Sequence, residues 1–105
     1  MSISNRFRDI AKEVALFRSQ LKDCDLAAEP GARAVKKSGK ILDEWVEQVG
    51  EIPRMRLEAQ LTPILLKAHD SLDRARLVFE EAALESQADT AWALQQKIYR
   101  LLNDL

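Results

Sequence analysis

A single histidine, a single cysteine and a lysine-rich run are the residues of this 105-residue chain whose types suit chemistry. His69 stands alone, so helical HExxH zinc sites and clusters of several histidines are excluded by count. Leu66 occupies the position three before it, so the Glu-x-x-His pair of di-iron helical bundles is missing too. Cys24 has no histidine near it in sequence to take its proton, and it falls on an apolar helical stripe; a buried, inert thiol is expected. Ala34 to Ile41 reads Ala-Val-Lys-Lys-Ser-Gly-Lys-Ile, which ends like a phosphate loop. It lacks that loop's first glycine, has isoleucine where the metal-binding hydroxyl belongs and follows no strand, so no nucleotide site is expected. What is left is a basic segment: Arg33, Lys36, Lys37 and Lys40, with no acid from Pro30 to Leu42. Such a run is either the solvated start of a helix or a docking patch for an acidic or phosphate-bearing partner. Glu80, Glu81, Glu85 and Asp89 form an acidic counterpart that could face it within one chain or across a dimer.

Lys67-Ala68-His69 resembles the phosphoacceptor site of histidine phosphotransfer domains, which are helical bundles of this size. The resemblance covers a few residues and implies a signalling module acting through His69. Those domains usually follow the histidine with a lysine-glycine pair; here Asp70 and Asp73 follow and would repel a phosphoryl group. Other carboxylates stand four residues from bases, as Asp70 does from Arg74 and Glu80 from Arg76, which needs no acid-base explanation. No catalytic residue, cofactor or metal site is expected.

The elements that would position these residues are helical. All three glycines and all three prolines fall between Pro30 and Pro63, leaving an uninterrupted arm on either side. In the first arm, from Ser2 or Ser4 to Ala28, Ile3, Phe7, Ile10, Val14, Phe17, Leu21 and Cys24 alternate at spacings of four and three, a heptad seam. Ser4 is the expected cap. A second helix is expected over Ala32 to Val49, with Val35, Ile41, Leu42, Trp45, Val46 and Val49 inward, its regular part starting as late as Ser38 because of Gly39. Pro53 is expected to open a short helix to Leu61, with a kink or one-turn break at Thr62-Pro63. The apolar phase continues to Ala82 and then shifts, which places a chain reversal at Ser86 to Thr90, capped by Asp89 or Thr90. The alternative is one long helix completed by a second chain. Trp45, Trp92 and Tyr99 are expected in the core.

Together these imply one all-α domain over residues 1–105, an antiparallel bundle of three to four helices with coiled-coil-like seams. A formal net charge of −1 supplies no general attraction to nucleic acid or anionic membrane, so neither is an expected partner. One unpaired cysteine and a charged N-terminal segment suit the cytoplasm. The expected function is a non-enzymatic protein-protein interaction module: a small adaptor, regulator or assembly subunit that forms a homodimer. Besides the basic segment, Leu16, Leu66 and Leu77 lie off the apolar stripes and are candidate partner contacts.

Overall fold

Ser2 opens the first helix. Its hydroxyl oxygen accepts the Asn5 backbone N–H at 3.1 Å, so the cap is Ser2 and Ser4 already lies inside. The computed structural model describes residues 2–105, of which 82% are helical, with no strand among them. Four helices carry the fold: α1 (Ile3–Asp23), α2 (Pro30–Asp43), α3 (Leu57–Glu81) and α4 (Glu85–Asn103). Short 3₁₀ turns at Val49–Glu51 and Arg54–Arg56 punctuate the connection between α2 and α3.

The helices α1 and α3 end alike. Leu26 N–H donates to the Leu21 carbonyl at 2.8 Å and Asp25 N–H to Lys22 at 3.2 Å; Leu84 donates to Phe79 at 2.8 Å and Ala83 to Glu80 at 3.0 Å. This is the Schellman arrangement, which satisfies the last carbonyls by turning one residue into the left-handed region. Asp25 (φ 58°) and Ala83 (φ 59°) take that conformation without being glycine. The partly buried Leu26 and Leu84 fold back onto the core beside each turn. The reversal expected at Ser86 to Thr90 therefore lies at Ala82 to Leu84, and the single long helix is ruled out. Asp89 and Thr90 are inside α4, where the Thr90 hydroxyl donates to the Ser86 carbonyl.

Side-chain pairs fix the topology. Ser38 meets Ala68 and Gly31 meets Phe79, so α2 runs antiparallel to α3. Asp73 meets Gln95 and Arg76 meets Trp92, which sets α4 antiparallel to α3. Ion pairs of Arg6 with Asp104 and of Glu13 with Lys97 align α4 against α1. The result is an up-down-up-down four-helix bundle of 43 × 21 × 20 Å, with α1 and α3 on a diagonal bridged by the tilted rings of Phe17 and Phe79.

The α1 seam faces this interior: Phe7, Ile10, Val14, Phe17 and Leu21 are buried, while Cys24, one residue past the helix, is exposed. The buried thiol expected there is corrected by the Schellman turn, which lifts the chain off the core. The α2 helix starts at Pro30, earlier than expected, and ends at Asp43. Proline suits a first helical position because its missing N–H has no intrahelical partner there. Its buried face is built of small residues, Gly31, Ala32, Ala34 and Ser38, with Val35 and Leu42. They let α2 approach α3 closely enough for the buried Ser38 hydroxyl to donate to the Ala68 carbonyl at 3.1 Å. Ile41, Trp45 and Val46 are only partly buried. The α3 helix runs through Pro63 without a break.

Candidate partner-binding faces

Six large apolar side chains stand exposed: Leu16 (58%), Met55 (97%), Leu66 (46%), Leu77 (46%), Trp92 (50%) and Tyr99 (55%). Four of them belong to α3 and α4. On α3, Leu66 and Leu77 are eleven residues apart, which returns almost to the same side of the helix, opposite the buried Ala68, Leu72 and Ala75. On α4, Trp92 and Tyr99 are seven apart and each follows a buried residue, Ala91 and Ile98. The α3–α4 register set by Asp73 with Gln95 and Arg76 with Trp92 places Leu66 and Tyr99 toward one end of this outer face. Leu77 and Trp92 lie toward the other.

A polar cluster lies at the Leu77–Trp92 end. Arg76 donates from Nη2 to Asp73 Oδ1 at 2.8 Å and from Nη1 to Glu80 Oε1 at 3.0 Å, and its guanidinium carbon lies 5.3 Å from the Trp92 ring centroid. Gln95, fully buried, donates from Nε2 to the same Asp73 oxygen at 3.0 Å. Burying an amide is costly unless it is bonded; Asp73 supplies the bond for the Gln95 nitrogen, while Gln95 Oε1 is buried with no hydrogen-bond partner among the described residues. The Arg76 hydrogen bond first, and that of Gln95 second, hold the Asp73 carboxyl below its ordinary range; the bond to Asp73 raises Arg76 in turn. Trp92 is thereby held against α3 by a cation–π contact whose cation is itself anchored twice. Asp70 and Arg74, expected to pair, form no ion pair; the Asp70 carboxylate lies 3.8 Å from His69 Nδ1.

The basic segment lies elsewhere. Arg33, Lys36, Lys37 and Lys40 are all exposed on α2, and none forms an ion pair among the described residues. Of the acidic counterpart, Glu80 pairs with Arg76, and neither it nor Glu81, Glu85 or Asp89 pairs with the basic segment within the chain. Two grooves flank α2: one of about 850 Å³ against α3, reached by Arg33 and Lys37, and one of about 650 Å³ against α1, reached by Arg33 and Lys36. Leu77 stands on the crest of α3 and also borders the first groove. Leu16 sits apart, over a small α1–α4 hollow of about 180 Å³ beside Ala93 and Leu94. The three leucines singled out from the sequence thus divide, Leu66 and Leu77 sharing a face and Leu16 alone.

His69 is half-buried midway along α3, with Asp70 beside it. Among the described residues no three His, Cys, Asp or Glu side chains gather as a metal site would require, and no helix is long and apolar enough to cross a membrane. Trp92 and Tyr99, expected in the core, are instead the largest exposed side chains of the α3–α4 face. The available signal was their phase: each lies one residue, about 100°, past the buried alanine or isoleucine. Comparison with protein-family models, with curated proteins and with solved structures finds no match.

Proposed function

We propose that the chain is a non-enzymatic protein-protein interaction module whose partner covers the outer face of α3 and α4. The observation that carries this reading is that Leu66, Leu77, Trp92 and Tyr99 are all exposed along one outer face, with Arg76 packed on Trp92. Tryptophan, tyrosine and arginine are the residues that dominate binding energy at interfaces. With side-chain areas on the order of 150–250 Å² for the aromatics, half-exposed rings and leucines supply roughly 400 Å² of apolar surface. One side of a standard interface buries about 800 Å², somewhat more than half of it apolar. The patch is therefore about the size such an interface needs.

We place the expected homodimer on this face, because the α1 seam, whose regularity suits coiled-coil packing, is buried within the bundle. Glu85 and Asp89 share the helical stripe of Trp92, and Glu80 lies one turn from Leu77, so two copies meeting here bring acidic rims together. Self-association through it strengthens as salt screens that repulsion. The exposed free thiol of Cys24 suits a reducing cytoplasm. Replacing Trp92 and Tyr99 together by serine tests the reading. Association in sedimentation runs falls while the melting temperature holds; an unchanged sedimentation profile together with a collapsed melting temperature makes the rings structural and refutes it.

The second reading, phosphotransfer through His69, is favoured by the placement of a sole, half-buried histidine midway along a bundle helix. Asp70 and Asp73 count against it. Incubation with acetyl phosphate separates the two: acid-labile phosphate at His69 supports phosphotransfer, and its absence supports the interaction module.

A further inference from the structure

The groove between α2 and α3 has a different character from the α3–α4 face. Its floor is mostly apolar, with Ala34, Ile41 and Val78 beside the buried Ser71, and Leu77 borders it. Its two walls each carry two cations, Arg33 and Lys37 from α2 and Lys67 and Arg74 from α3. All four are exposed and none is ion-paired among the described residues. Of the two acids on the groove, Asp73 is already bonded to Arg76 and Gln95, which leaves Asp70 against four positive charges. The wall cations are about 6 Å apart on α2 and about 10 Å apart on α3, at 1.5 Å per residue.

From this charge pattern we infer that the α2–α3 groove is a docking site for an acidic amphipathic helix of a partner protein. Such a helix lays its apolar stripe on Ala34, Ile41 and Val78 and is met along both edges by cations spaced to reach glutamates one or two turns apart. Complementary potentials across an apolar floor give orientation as well as attraction. A phosphate polymer matches the cations but leaves the apolar floor unused, and the groove offers no aromatic ring for a base to stack on. Leu77 borders both surfaces, but of the two only the groove carries Arg33, Lys37, Lys67 and Arg74, so reversing their charge tests this site separately from the α3–α4 face.

The test is a titration of the full chain with a synthetic sixteen-residue helix that carries leucines at i, i+3, i+7 and i+11 with glutamates beside them, followed by amide chemical shifts. Shifts concentrated in α2 and α3 are expected. The double variant Arg33→Glu/Lys37→Glu and, independently, Lys67→Glu/Arg74→Glu weaken binding at least about tenfold, since each reverses two edge charges. Lys12→Glu and Trp92→Ser/Tyr99→Ser leave it unchanged. Affinity falls as salt is raised, and a peptide with serine in place of leucine binds far less. Circular dichroism confirms that each variant is folded. The inference is overturned if the charge reversals leave peptide affinity intact, if the serine peptide binds equally, or if a sixteen-base-pair DNA duplex binds more tightly and shifts the same amides.

Discussion

Asp73 ties the candidate face to the core behind it. Asp73 bonds outward to Arg76 and inward to the buried Gln95, and these bonds lower its carboxyl pKa. A depressed carboxyl stabilises the fold above its unfolded value of about 3.9, and that stability is lost as pH falls through the folded value. Because Asp73 is partly exposed, the effect is modest. Asp73→Asn is expected to flatten the fall in melting temperature below about pH 4 and to weaken Arg76's hold on Trp92, seen as increased Trp92 fluorescence quenching by acrylamide. Gly31 makes the opposite demand. A Cβ there would lie 2.5 Å from Phe79 Cε1, and Phe79 is fully buried against α1 and α2. Gly31→Ala lowers stability by about 1–3 kcal/mol through overpacking. At Gly39 the nearest atom, Val14 Cγ1, is 3.4 Å away, and Gly39→Ala raises stability by roughly 0.5–1 kcal/mol. Urea midpoints moving in opposite directions check both.

Among the elements, α1 was legible because bulky side chains mark its seam, and the structure buries Phe7 through Leu21 in that phase. The α2 helix was poorly legible for the converse reason. Gly31, Ala34 and Ser38 carry little hydropathic signal, and their burial makes sense only once the close approach of α3 is known. The turns were misplaced because their left-handed positions are held by Asp25 and Ala83 rather than glycine, so nothing in composition announced them. Expecting the reversal at Ser86 to Thr90 followed a true phase shift, but the shift was the turn itself. Ala83 is held in the left-handed region at a conformational cost that glycine does not bear. Ala83→Gly is expected to raise stability by about 0.5–1 kcal/mol, measured as a higher melting temperature with an unchanged helical spectrum. A lower melting temperature would mean that the turn is held by something other than the backbone bonds of Leu84 and Ala83.

For the whole molecule, the four helices, with Val49 from the connection between α2 and α3, account for the buried core, leaving the α3–α4 face and the basic α2 flank as the surfaces still to be explained. The basic flank was visible in the sequence as an acid-free run. The α3–α4 face was half visible, through Leu66 and Leu77. Its aromatics were hidden because a tryptophan one residue off a stripe reads as core until the helix's rotation is fixed by its neighbours. The proposed division of labour is that burial of the interior holds the fold while the outer α3–α4 face binds. Its most direct measurement is photo-crosslinking in cells that produce the protein, with p-benzoylphenylalanine replacing Tyr99 and, as a control, Lys12. The account predicts a discrete protein adduct from position 99 and none from position 12. It also predicts that adding Leu66→Ser and Trp92→Ser abolishes the adduct while the purified variant keeps its melting temperature. No adduct from position 99, or an adduct that survives those replacements, would contradict it.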